Sequence, residues 1–261
     1  PQTNVSNMLT GKLPGVTSIQ TTGQPGADAA DITIRGLSTY GSNNRPLYII
    51  DGMESDSMNA LNPTDIESIA VLKDAAAASV YGVRGGNGVI IITTKSGSKS
   101  DRATISYDGS YTVTANVGEP ELLNAEEYIY WYNKTLTQDG KDPYWTDEVI
   151  GRLKEQGIYG DTNWRDLIYN KVGTMQQHNV SVNGGNEKVS YFGSVGYMGQ
   201  TGTLKNFNYN RFNARANVSA QILPGLRFNA NVSLRRSLRS QPSYDMGNQA
   251  YFSPIQRANY M

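Results

Sequence analysis

The 261-residue chain has no cysteine and a single histidine, His178. Without cysteine there are no disulfides, no thiol chemistry and no thiolate metal sites, and one histidine cannot build a histidine-rich metal centre. Charge is missing in another sense: 23 basic residues are matched by 23 acidic ones, so no global field draws in a nucleic acid. No apolar run approaches the roughly 20 residues of a membrane-crossing helix. No basic and apolar leader opens the chain at Pro1. A mean hydropathy of −0.48 fits these absences, but the strands of a membrane β-barrel average out to polar as well, because they alternate. His178 could enter a Ser-His-Asp triad only as the one histidine available. It lies on a candidate strand, and no set of acid, base and nucleophile forms around it. No catalytic residue, metal or cofactor is expected.

What is present is concentrated first between Pro46 and Lys95. Leu47 to Ile50 is a short apolar strand, closed by Asp51-Gly52, a pair that tolerates positive φ. Asn62-Pro63-Thr64-Asp65 offers an N-cap, a proline at the first helical position and an acid three residues after the cap. Ser68 to Leu72 reads as a strand. Asp74 then caps an alanine-rich turn and a half over Ala75 to Tyr81, ended by Gly82. The run Gly85-Gly86-Asn87-Gly88 is a tight turn into Val89 to Thr94, whose apolar, β-branched residues predict a strand buried on both faces. The Gly82 to Gly88 run is not read as a phosphate cradle: it lacks the Gly-Lys-Ser/Thr ending and precedes a strand.

These residues closely resemble the plug domain of TonB-dependent outer-membrane transporters of the SusC/RagA-like branch, found in Bacteroidetes-type bacteria. The resemblance rests on Ile34-Arg35-Gly36, Leu47 to Gly52, Asp65 to Gly88 and Val89 to Lys95, with Val5 to Gly15 and Thr17 to Gln20 upstream. Ala70, where an acid is common, and Val83 and Gly86, at variable positions, are minor departures. The resemblance places a plug domain, lacking its amino-terminal part, at residues 1–98, with the first strands of the barrel over 99–261.

The second half has the alternation a barrel needs. Ile105, Tyr107, Gly109, Tyr111 and Val113 share one face of a strand. Val189, Tyr191, Val195 and Tyr197 repeat the pattern, as do Phe212 to Ala220 and Leu226 to Leu234, each opposed by polar residues. Gln177 to Val182 is a weaker fifth candidate. Ten-residue strands suit a tilted bilayer crossing, and the connections at Asn183 to Glu187 and Leu223 to Gly225 are short, like periplasmic turns. Alternation alone also fits a soluble β-sandwich; with a plug before it, the barrel is the expectation. The fold class is thus an α+β plug followed by the start of a transmembrane antiparallel β-barrel. Family barrels close with about 22 strands, and this chain supplies about five, so it is expected to be a fragment that begins inside the plug, without the TonB-contacting segment.

A helical insertion at about 115–173 separates the first two barrel strands and is expected on the extracellular side. Residues 101–173 carry 13 acidic and 7 basic groups (net −6), whereas 174–240 carry 1 and 8 (net +7). The basic excess includes Arg211, Arg215, Arg227 and Arg235, all on the polar face of alternating strands. They are expected to face the lumen and pair with plug carboxylates rather than bind a polyanion. By the resemblance, Arg35-Gly36 and Arg84-Gly85 would lock the plug to the barrel wall, the planar arginine fork meeting wall glutamates. The 17 tyrosines fit interfacial girdles. Tyr128, Trp131, Trp145 and Trp164 are the candidates for stacking on a substrate.

The function the resemblance implies is TonB-dependent import of a glycan, or a peptide, across the bacterial outer membrane. The implied partners are a SusD-like surface lipoprotein, TonB and membrane lipid; no nucleic acid is expected. A siderophore- or cobalamin-type receptor of the same architecture, and a soluble plug-like binding module, are the alternatives.

Overall fold

The computed structural model describes residues 3–34, 36, 44–73, 79–100, 102–118 and 120–242. The described residues divide into two compact units, those up to Thr114 together with those from Val172 on, and Ala115–Lys171.

The amino-terminal part of the first unit opens with helix α1 (Val5–Met8) and a two-stranded antiparallel ribbon, β1 (Val16–Ile19) and β2 (Asp31–Ile34). A four-stranded sheet comes next, built from β3 (Leu47–Ile50), β4 (Met53–Ser55), β5 (Ile66–Leu72) and β6 (Val89–Thr94) in the order β4-β3-β6-β5. Asp51 (φ 49°) and Gly52 (φ 86°) make the β3–β4 turn, both in the left-handed region that an Asp-Gly hairpin requires. Strand β6 is central, parallel to β3 and antiparallel to β5. Its Val89, Ile90 and Ile92 are fully buried, which is why it reads as a continuous apolar run. Ile90 and Ile92 pack with Val5, Ile32, Ile34, Met58 and Leu61 into one core, each buried isoleucine contributing about 1.5–3 kcal/mol.

The 62–65 segment is a helix of a single 3₁₀ turn (Pro63–Asp65), capped as expected by the Asn62 side chain, which accepts from Thr64 N–H. The expected alanine-rich helix falls mostly on residues 74–78, outside the described residues. The next segment, Ser79–Asn87, is a pair of 3₁₀ turns broken at Gly82 (φ 62°, ψ −151°). A stretch with glycines at 82, 85 and 86 has too little helix propensity to continue an α-helix.

After residues 95–103 comes a five-stranded antiparallel sheet in sequential order: β7 (Thr104–Ala115), β8 (Val172–Gly185), β9 (Val189–Thr201), β10 (Asn208–Leu223) and β11 (Leu226–Ser240). The weak candidate at Gln177 to Val182 is the middle of a 14-residue strand; the strand was hard to see because Gln, His and Asn stand where a strand usually carries apolar residues. The register puts Val180, Val195, Ala214 and Leu234 in one row, and Val182, Gly193, Ala216 and Val232 in the next. A further row holds His178, Tyr197, Phe212 and Arg236. Tyr107 reaches this row through a hydrogen bond between its hydroxyl and His178 Nδ1 (2.7 Å). Toward the other end Tyr191 and Phe228 lie on the same face. From Phe212 to Ala220, the partner of Phe228, is eight residues, about 26 Å along the strand. That is close to the roughly 25 Å apolar band, flanked by aromatic girdles, of an outer-membrane barrel. No helix among the described residues is long and apolar enough to cross a membrane.

The second unit contains α2 (Ala125–Gln138), α3 (Asp147–Glu155) and α4 (Trp164–Ile168). Asn124 and Glu127 form a capping box on α2, and Thr146 caps α3, whose first turn carries Asp147 and Glu148 and whose last carries Arg152 and Lys154. Both patterns oppose the helix dipole favourably. Asn133 clamps the backbone of Trp145 from both sides, Nδ2 donating to its carbonyl (2.8 Å) and Oδ1 accepting from its N–H (3.0 Å). No residue of α2 or α3 is buried.

Candidate functional site

The polar face of β8–β11 meets the amino-terminal domain, and the contact is built from single side chains. Arg215 lies at its centre, with its side chain 7% exposed. Its guanidinium reaches Asp51 Oδ2 (3.4 Å), Thr94 Oγ1 (3.3 Å) and Asp65 Oδ2 (3.9 Å). Asp51 is held in turn by the Thr94 backbone N–H (2.8 Å) and the Thr94 hydroxyl (2.7 Å). Asn217, two residues along the same face as Arg215, donates to Thr94 Oγ1 (3.0 Å) and Lys95 O (2.8 Å). The Thr94 hydroxyl therefore gives its one proton to Asp51 and accepts from Arg215 and Asn217, which uses its full capacity. The turn that makes Asp51 adopt a left-handed backbone also aims its carboxylate at the wall.

Asp65 is the more deeply buried acid, with 3% of its side chain exposed. Burial pushes its carboxyl above the usual carboxylate range, against a hydrogen bond from Ser194 and the charges of Arg215 and Lys95. At 3.9 Å Arg215 is beyond hydrogen-bond reach, so desolvation outweighs attraction here.

Two further arginines touch the domain through backbone carbonyls and not carboxylates. Arg211, 2% exposed, donates to Thr3 O (3.0 Å). Arg235 donates to Asn59 O (2.9 Å) and to the Tyr209 hydroxyl (3.0 Å). Arg227 is exposed at the far end of β11, opposite Gln221. Of the four arginines expected on this face, Arg215 alone meets domain carboxylates. Asn62 Nδ2 donates to Asn179 Oδ1 (3.1 Å), and Ser98 N–H donates to Asn183 Oδ1 (2.6 Å). Asn62 and Thr64 also line a polar cleft of about 170 Å³ with Asn179, Arg211 and Asn213.

The arginines expected to lock the domain from its own side stand differently. Arg35 lies outside the described residues, and Gly36 is exposed at φ 83°. Arg84 is exposed and pairs with Glu54 of β4, within its own domain. Gly85 is buried, its carbonyl accepting from Gly88 N–H (2.9 Å). The acids that meet the wall, Asp51 and Asp65, were legible only as turn and helix-start residues, because a sequence does not show which caps face another element.

The aromatic candidates lie in the helical unit. Tyr128 stacks on Tyr132 (5.7 Å between centroids), Trp131 packs edge-on to Tyr130 (5.2 Å) and Trp145 to Tyr144 (5.0 Å). Trp164 opens α4; nothing of its side chain is described.

Comparison with known proteins places this geometry. Residues 1–89 match the family model for the TonB-dependent receptor plug domain. The chain is 36% identical over 240 residues to the TonB-dependent receptor SusC of Bacteroides thetaiotaomicron, covering 88% of this chain and 22% of that protein. The chain belongs to the SusC/RagA-like TonB-dependent receptors. It is also 30% identical over 242 residues to the TonB-dependent receptor P39 of Formosa agariphila, covering 91% of this chain and 21% of that relative. Among solved structures, the RagAB peptide importer in its closed-closed state superposes with a TM-score of 0.80 at 28% identity, over 97% of this chain and 30% of that one. The receptor chain thus spans about a fifth of the length of the curated relatives it matches. Its amino-terminal domain is a plug, its five-stranded sheet is the start of the antiparallel wall, and its place is the outer membrane.

Proposed function

We propose that the receptor is a gated importer of a glycan or peptide, whose plug is latched to the wall by Arg215 of β10 between Asp51 and Asp65. The observation that supports this reading most is that buried three-residue contact. It joins the β3–β4 turn and the 3₁₀ turn before β5 to the wall through groups that water can replace. A latch of this kind holds a closed state and releases without unfolding the plug, the two-state behaviour a gate needs. Arg211 and Arg235 add contacts on the same wall face. In this reading residues 1–98 are the plug and 99–261 the start of the barrel, with the helical insertion of about 115–173 as an extracellular loop. A SusD-like lipoprotein captures ligand outside, and TonB supplies the work from inside. The protein is a transporter and not an enzyme.

The test is uptake by whole cells. A strain lacking the full-length receptor is grown on a panel of glycans and peptides as sole nutrient. Complementation should restore growth on one class, only when TonB is functional, and the receptor should co-purify with a SusD-like lipoprotein in mild detergent. Growth that is indifferent to the receptor across the panel, or to TonB, would overturn the reading.

A further inference from the structure

We propose that the groove between α2 and α3 binds a neutral oligosaccharide; this rests on the import reading and assigns a ligand class to its helical loop. The groove is open to solvent, with a volume of about 520 Å³ and a lining that includes Tyr130, Asn133, Lys134, Trp145, Asp147 and Tyr159; its size is within the range of small-ligand sites. Three aromatic rings in one groove offer flat apolar surface of the kind that packs against the C–H faces of sugar rings.

The polar groups choose among ligands. Glu126 and Asp147 face the groove together with Lys134 and Lys154, so its formal charges cancel. A polyanion would meet two carboxylates and a cation two ammonium groups, whereas a neutral hydroxylated ligand can donate to the first pair and accept from the second. Lys134 Nζ sits over the rings of Tyr130 (5.5 Å) and Trp131 (4.7 Å), and Lys154 Nζ over Tyr159 (4.9 Å). These contacts hold both lysines at the groove wall. The Trp145 indole N–H is shut off from solvent and has no acceptor. A buried unpaired donor costs about 1–3 kcal/mol, a cost that is removed when the ring turns toward the groove and its N–H donates to a ligand hydroxyl oxygen.

A peptide fits less well. Peptide recognition by main-chain pairing needs a free strand edge, and recognition by side chains needs apolar pits. The groove is walled by two helices and offers no strand edge, and its aliphatic lining amounts to Ile129 and Ile150.

The test is an array of neutral oligosaccharides, acidic oligosaccharides and peptides, probed with the full-length receptor in mild detergent. A neutral oligosaccharide should bind. Tyr130→Ala should weaken that binding about tenfold. Trp145→Phe, which leaves a smaller aromatic ring and removes the N–H, should weaken it about three- to tenfold with the fold unchanged by circular dichroism. Capture of acidic glycans or peptides alone, or unchanged affinity in both variants, would overturn the proposal. Nutrient uptake by the wild-type receptor is scored in parallel. Uptake that persists while the groove variants behave as wild type removes only the groove assignment; absence of receptor-dependent uptake removes the import reading itself.

Discussion

Replacing Arg215 by alanine leaves Asp51 and Asp65 facing the wall with no cation between them. Their side chains are 14% and 3% exposed, and Arg215 itself is 7% exposed. Removing one partner from a buried ion-paired set costs about 3–5 kcal/mol, because the charges left behind stay desolvated. At 3 kcal/mol the equilibrium for plug detachment moves by about 150-fold. Hydrogen exchange reads such an opening directly. The amides to follow are those that pair across the plug–wall boundary, Ser98, which donates to Asn183 Oδ1 (2.6 Å), and Gly185, which donates to Ser100 O (3.0 Å). In the full-length receptor with Arg215→Ala, both should exchange about a hundredfold faster or more, while the Ile90 amide, deep in the plug core, changes far less. Arg215→Lys should fall between, since an ammonium keeps the charge but cannot span both acids with a planar fork. The double variant Asp65→Asn/Arg215→Met should recover part of the loss, because one orphaned charge is gone. Exchange within threefold of wild type in Arg215→Ala would refute the latch.

The remaining predictions concern pH and the lipid face. Burial raises the Asp65 carboxyl in the folded state, so the folded receptor holds that proton more tightly than the unfolded chain, and the cost of the charged acid fades as pH falls through its raised folded value toward the ordinary carboxylate range. The stability of wild type relative to Asp65→Asn should therefore rise on acidification from pH 7 to 4; a relative stability that falls over this interval would contradict the assignment. Val232 is 56% exposed on the apolar face, in the row of Ala216 midway between the Phe212 and Phe228 rows. Val232→Arg should destabilise the full-length receptor in bilayers by about 2–4 kcal/mol, measured by denaturant titration, whereas an effect under 0.5 kcal/mol would mean that this face does not meet lipid.

The sequence reading anticipated elements better than meetings between elements. Strand β6, the Asp51-Gly52 turn and strands β7, β9, β10 and β11 were legible because each is specified by residues next to one another. A continuous apolar run, a pair suited to positive φ and strict two-residue alternation are local signals. Strand β8 was only half visible, since its Gln177, His178 and Asn179 blur the alternation. The plug–wall contact was the least legible. Arg215 stood out as a polar-face arginine, but Asp51, Asp65, Thr94 and Asn217 each had a sufficient local explanation. Their convergence depends on a register that sets β10 against the end of β6, over 121 residues between Thr94 and Arg215. The aromatic groove shows the same limit: Tyr130 and Tyr159 gave no sequence signal that separated them from Tyr128 and Trp131, which pack within their own helix.

Between Thr94, the last residue of the plug sheet, and Thr104, the first of the wall, lie nine residues. The segment is sewn to the neighbouring turn by Ser98 to Asn183 and by Gly185 N–H to Ser100 O (3.0 Å). Gly97 lies so close to the backbone of Ser190 and Tyr191 that no side chain fits there. While these stitches hold, the leash is short and the plug's trailing end is pinned beside the β8–β9 turn. Cut loose and drawn straight, nine residues span about 30 Å, more than the roughly 25 Å height of a barrel's apolar band. A plug that leaves its place can therefore travel the depth of the membrane without breaking its tie to the wall, and how far it goes is set by how many stitches open.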